Sequence, residues 1–121
     1  MVLVEDEALL REMIIFGLEE AGFVVIGLAT PGAALDLLTM DGCEVDVLVT
    51  NIDLGVSFDG FELARRAVAQ RPHLKVVYVS GGAENRISAE SMPGARFLPK
   101  PFLPDTLASE LFLVLGRSQS S

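Results

Sequence analysis

The chain has 121 residues, half of them hydrophobic and 21% charged, which suits one compact domain able to bury a core. Its formal charge of −8 disfavours direct binding to nucleic-acid phosphates. The apolar runs are short and broken by charge, so none reads as a membrane span, and the Met1–Val4 start meets Glu5, Asp6 and Glu7 rather than continuing as a secretory leader. A single cysteine, Cys43, excludes an internal disulfide and argues against a cysteine-rich zinc site; the cytoplasm is the expected compartment.

In chain order, Val2–Val4 is a short apolar run followed by acids, consistent with a buried strand. Glu7–Ala21 reads as a helix with Leu10, Ile14, Leu18 and Ala21 on one stripe, ended by Gly22. Phe23–Leu28 is a second strand. Thr30-Pro31 then starts a helix, Thr30 as N-cap and Pro31 at the first helical position, running to about Met40 through Ala34, Leu35 and Leu38. Val45–Thr50 is the clearest strand, β-branched and apolar between turn signals. Asp59-Gly60 opens a third helix with Leu63, Ala64, Ala67 and Val68 facing inward, and Arg71-Pro72 stops it. Lys75–Val79 and Arg96–Leu98 are the fourth and fifth strands. Between them Gly81–Gly94 carries few large apolar residues, only Ile87 and Met92, so a fourth helix there is expected to be short and weakly packed. A last helix runs from Pro104 to Leu115 with Leu107, Leu111, Val114 and Leu115 on its apolar face, capped by Gly116. The expected domain is 1–116, with 117–121 a frayed tail.

Alternating strands and helices, with apolar non-alternating strands, predict an α/β fold: a five-stranded parallel sheet covered by helices on both faces. The pattern suits the doubly wound, flavodoxin-like order 2-1-3-4-5, in which ligands gather at the carboxyl ends of the strands. Glu5 and Asp6 follow the first strand. Asn51 ends the third, with Asp53 two residues on. Ser80 ends the fourth, and the fifth runs into Lys100-Pro101. One sheet edge thus collects acids, an amide, a hydroxyl and an ammonium. Clustered acids repel unless a cation sits among them, and oxygen ligands suit Mg²⁺. A divalent ion, a lysine and a hydroxyl together can neutralise the oxygens of a transferring phosphoryl group. The missing part is the nucleophile: a central carboxylate would form an acyl phosphate, whereas the amide of Asn51 has a delocalised lone pair.

Five elements in order, VLVEDE at 2–7, DVLVTNIDL at 46–54, DGFELA at 59–64, VVYVSGG at 76–82 and FLPKPF at 97–102, resemble the receiver family of two-component response regulators over nearly the whole chain. The resemblance implies that Glu5 and Asp6 hold Mg²⁺, Asp6 directly and Glu5 through water, with Asn51 and the Asp53 position completing the metal site. Asn51 then stands at the phosphoacceptor position, Ser80 is the switch hydroxyl and Lys100 the family's lysine, followed by Pro101 through a cis peptide. Phe97 takes the aromatic switch position. A sensor histidine kinase or histidine phosphotransfer protein is the implied partner. The face of the fourth and fifth helices and the fifth strand is the implied surface for an output partner or a homodimer.

Two departures bear on function. Asn51 removes the acceptor carboxylate, either as the natural residue of a degenerate receiver or as an introduced substitution in an otherwise complete site; the intact surroundings favour the second. The Ser80–Lys100 interval is also slightly short, in keeping with a weak fourth helix and a reshaped output surface. Simpler readings stand beside these: Glu5–Glu7 as a charged helix entry, Ser80 as a turn serine, Lys100 as a surface lysine, Phe97 as core, and Cys43 and His73 as loop residues. Surplus apolar residues on the last helix, Phe112 or Leu113, offer a partner surface. Asn51-Ile52-Asp53 also resembles the first motif of haloacid-dehalogenase-like phosphatases, but that class needs a larger chain, a cap and a later acidic pair, and no such pair follows; a Toprim-like Glu-then-Asp-x-Asp pattern gives no role to Lys100-Pro101. A third reading is an interaction domain that works without phosphorylation. The expectation is a non-enzymatic signalling module.

Overall fold

A computed structural model describes residues 1–40, 44–53, 59–81 and 92–116. The strands are β1 (Val2–Val4), β2 (Ile26–Leu28), β3 (Val47–Asn51), β4 (Lys75–Ser80) and β5 (Arg96–Pro99), all parallel in the order β2-β1-β3-β4-β5. The helices among the described residues are α1 (Ala8–Glu20), α2 (Pro31–Leu38), α3 (Gly60–Gln70) and α4 (Pro104–Val114). The expected doubly wound sheet is therefore present. The predicted helix within Gly81–Gly94 falls mostly outside the described residues, as do Cys43 and the tail.

Strand side chains alternate between the two faces, and this assigns each helix its layer. Leu3, Val47, Val49, Val77, Val79 and Leu98 pack with Ile14 and Leu18 of α1 and Leu107 and Leu111 of α4. On the opposite face Val2, Val4 and Leu48 pack with Ala34 and Leu38 of α2 and Leu63 and Ala67 of α3. Beside them Ile52, Val76 and Tyr78 meet Phe61 and Ala64. Both faces of β3 are thus covered, which explains its unbroken apolar run.

The helix ends follow the local chemistry. Thr30 Oγ1 accepts from the Ala33 amide and Asp59 Oδ1 from the Glu62 amide, each satisfying a helix-start donor. Gly22, at φ +98°, closes α1 as predicted: the Phe23 amide donates to the Leu18 carbonyl and the Gly22 amide to Glu19. The same turn shortens β2. Phe23 is drawn back to the helix end and packs 5.1 Å from Phe112, so pairing begins only at Ile26, and Val24 is left 81% exposed at the sheet edge. Ala21, predicted on the buried stripe of α1, is instead its exposed C-cap residue. The guanidinium of Arg71 reaches across to the end of α2 and donates to the carbonyls of Leu38 (2.7 Å), the last residue of the helix, and Met40 (3.2 Å), just beyond it.

Tyr78 is fully buried against Phe61, and its oxygen accepts from the Met92 amide at 3.0 Å. Burial pushes the phenol above its ordinary value of 10.0, partly opposed by that amide donor. The fold favours the neutral form, so this contribution is intact below pH 10.0 and is lost as pH rises through the folded-state value. Tyr78 is the only tyrosine and the chain has no tryptophan, so phenolate absorbance reads this one group. In a spectroscopic alkaline titration it is expected to ionise above free tyrosine, and to shift back towards it in denaturant.

Candidate functional site

The order reversal between β1 and β3 makes a crevice at the carboxyl edge of the sheet. Glu5 leaves β1 there, its amide bonded to the Leu28 carbonyl and its side chain only 1% exposed. Its carboxylate is held from two sides: Lys100 Nζ lies 2.7 Å from Oε1, and the Glu7 amide donates to Oε2 at 3.1 Å. The Glu5 carbonyl accepts from Arg11 of α1 at 2.8 Å. Asp6, the next residue, is exposed.

Asn51 is the last residue of β3, paired in register with Val79 and 7% exposed. Its carbonyl accepts from the Thr50 hydroxyl, and Gly60 lies directly over it: a Cβ at Gly60 would come within 2.3 Å of that oxygen. The close approach lets the start of α3 pack on the end of β3, and the Gly60 amide bonds to the Ile52 carbonyl. Ser80 is fully buried at the end of β4, and its hydroxyl lies 3.4 Å from Asp53 Oδ2, a long contact. The Lys100 amide donates to the Ser80 carbonyl, which continues the β4–β5 ladder one residue past the strand, and the Lys100-Pro101 peptide is cis. Phe97 is half-buried on β5 and packs against the Ile52–Phe61–Tyr78 cluster, away from the Glu5–Lys100 pair.

The sequence-predicted residues divide accordingly. Glu5 and Lys100 are joined directly, and Ser80 and Asp53 are neighbours. Asn51 sits at the end of the strand between β1 and β4, and Phe97 belongs to the core on the α3 side. Arg11, Thr50 and Gly60, which shape the same edge through backbone contacts, carry no signal of their own in the sequence except the Asp-Gly helix start. For a metal the donor chemistry is right: carboxylate and amide oxygens suit a hard cation. Among the described residues, however, no three acidic, histidine or cysteine side chains converge as a ready cage. An ion here would keep several waters, as Mg²⁺ commonly does.

Similarity to known proteins agrees with this geometry. Residues 1–112 match the family model for the response regulator receiver domain. The chain is 31% identical over 112 residues to the response regulator receiver protein CpdR of Brucella abortus, covering 91% of each. It is 34% identical over 110 residues to the sensor kinase CckA of the same organism, but spans only 12% of that protein. In three dimensions it superposes on a response regulator receiver protein from Sinorhizobium medicae with a TM-score of 0.89 and 29% identity, covering 98% of this chain and 94% of the other. The arrangement of an acid pair, strand-end Asn51, Ser80 and Lys100-Pro101 is thus set in a matching fold and a matching sequence, and the chain belongs to the response regulator receiver family.

Proposed function

We propose that this receiver docks on a sensor histidine kinase or histidine phosphotransfer protein and signals without an acyl phosphate at residue 51. The observation that supports the reading is the amide residue Asn51 at the carboxyl end of β3, on the same sheet edge as Glu5, Ser80 and Lys100. An amide nitrogen is too poor a nucleophile to take a phosphoryl group at this position.

The remaining groups have consistent roles. Asp6, with Glu5 behind it, the Asn51 side-chain oxygen and the chain at Asp53 would hold Mg²⁺. When bound, the ion supplies positive charge against phosphoryl oxygens. Lys100 and the Ser80 hydroxyl would face the same anion, and Ser80 would couple its presence to β4. Phe97 fits the core role at least as well as the switch role, because it already fills space beside Tyr78 and Phe61. Docking is supported by α1, where Leu9, Met13 and Phe16 are 71%, 59% and 68% exposed along one face. An output partner or second copy would use β5, α4 and the segment joining β4 to β5; Leu113 on α4 is 62% exposed. No helix among the described residues is long and apolar enough to cross a membrane, and a cytoplasmic location is part of the proposal. The phosphatase alternative lacks the later acidic pair that its chemistry needs.

The test is an intact mass after incubation with Mg²⁺ and a small phosphodonor, with Asn51→Asp in parallel. The parent is expected to stay unmodified at Asn51 and the variant to gain one phosphoryl group. If neither is modified, the chain works as an interaction domain alone and the phosphorelay reading fails.

A further inference from the structure

We infer that the side chain of Asp53, two residues beyond the amide of Asn51, is the carboxylate of this crevice that takes a phosphoryl group, as an acyl phosphate. The inference rests on the receiver reading of the crevice and goes beyond it, because it moves the covalent step to a side chain that reading leaves unused. The acids of this sheet edge differ in what they can offer a donor. Glu5 is 1% exposed and both of its oxygens are engaged, Oε1 by Lys100 Nζ at 2.7 Å and Oε2 by the Glu7 amide at 3.1 Å. Asp59 commits Oδ1 to the Glu62 amide at the start of α3. Asp6 is exposed but follows β1, to one side. Asp53 is exposed and follows β3, the central strand between β1 and β4. Its Oδ2 lies 3.4 Å from the hydroxyl of Ser80, a fully buried side chain at the end of β4.

The backbone that presents Asp53 is held on both sides. Ile52 is fully buried; its amide donates to the Val79 carbonyl at 2.9 Å and its carbonyl accepts from the Gly60 amide at 2.8 Å. A nucleophile carried on such a backbone needs little ordering before attack. Carboxylates form acyl phosphates, whereas the Asn51 amide does not. In the step, an Asp53 oxygen attacks the phosphorus of a phosphohistidine or a small phosphoramidate. The O–P bond forms as the P–N bond breaks. The departing nitrogen keeps the electron pair of the broken bond and leaves as a neutral imidazole or amine, protonated from solvent. The Ser80 hydroxyl, already beside the carboxylate, then donates to a phosphoryl oxygen.

Phosphoramidate with Mg²⁺, given to the parent, Asp53→Asn and Asn51→Asp/Asp53→Asn, tests this. Intact mass reads the uptake, and borohydride, which reduces an aspartyl phosphate to homoserine, marks the residue. The parent is expected to gain one phosphoryl group that hydroxylamine releases, with homoserine at position 53 in tandem mass spectra. Its labelling should be on the order of a hundredfold slower than that of the double variant, because the reacting oxygen is displaced from the strand end. Asp53→Asn should gain nothing. The double variant should be labelled at position 51, which shows that the crevice is intact without the Asp53 carboxylate. Homoserine at any other position in the parent, a hydroxylamine-stable label on a serine or threonine, or equal labelling of the parent and Asp53→Asn overturns the proposal. An unlabelled parent beside a labelled double variant removes the Asp53 role alone and leaves the receiver reading standing. If no protein is labelled, both fall.

Discussion

On an Asn51→Asp background, Phe16→Glu is expected to leave labelling by a small phosphodonor unchanged while slowing phosphotransfer from a phosphorylated histidine protein by about thirty-fold or more. The argument starts from α1. Residues 9, 13 and 16 fall on one helical face, and Leu9, Met13 and Phe16 there leave most of their surface in water. None belongs to the core clusters, whose α1 members include Ile14 and Leu18. The stripe starts one turn from the acid pair. A fourth exposed side chain, Leu103 at 70%, precedes Pro104, which packs against Gly17 of α1 so closely that a Cβ on that glycine would clash. A partner helix bearing a phosphohistidine could lie along this stripe with its reactive nitrogen over the crevice. Exposed Glu12, Glu19 and Glu20 on the same helix favour a partner with a basic rim. Phe16 is the largest anchor, and a buried negative charge in its place would remain unpaired. Because Phe16 is exposed, its replacement should change stability by less than about 0.5 kcal/mol, so a folding defect is separable by thermal melting. Equal loss with both donors would place the effect in the crevice and remove α1 from the docking surface.

How much of this was legible beforehand varies with the range of the interaction. The caps at Thr30 and Asp59 and the Gly22 stop are local signals and appear at the predicted residues, and the third strand, expected over Val45–Thr50, forms over Val47–Asn51. The strand order followed from alternation and fold rules. The start of β2 did not follow, because Phe23–Val25 is as apolar as a strand but is claimed by the end of α1. The fate of Lys100 was also hidden. The sequence lists the acids and the ammonium of one sheet edge, but which carboxylate takes the ammonium depends on a distance between residues 95 positions apart. The exposed stripe of α1 is not legible in the sequence for a related reason: this helix is apolar almost all round, and the buried stripe of Ile14 and Leu18 accounts for its periodicity. Of the surplus apolar residues on the last helix, Leu113 is exposed, whereas Phe112 is half-buried and packed on Phe23.

Two glycine replacements of the same chemistry are expected to have opposite signs. Gly60→Ala should destabilise the fold by about 1–3 kcal/mol, as overpacking against immovable neighbours does. The added methyl would stand 2.3 Å from the Asn51 carbonyl oxygen and 2.9 Å from the Ile52 Cα, both main-chain atoms of the central strand and its exit. No rotamer change relieves such a contact, so either α3 lifts from β3 or the end of β3 yields. Either movement disturbs the Gly60–Ile52 hydrogen bond of 2.8 Å and the backbone that carries Asn51. Gly32, in the first turn of α2, has nothing within 4 Å of the equivalent position and no positive φ. Gly32→Ala should therefore stabilise by about 0.4–1 kcal/mol, chiefly by restricting the unfolded chain. Denaturant melts with unchanged slopes would read both effects directly. Gly60→Ala on the Asn51→Asp background should also lose phosphoryl uptake from the small donor, whereas Gly32→Ala should keep it. A neutral Gly60→Ala would mean that the start of α3 does not bear on the end of β3, and the geometry assigned to residue 51 would have to be redrawn.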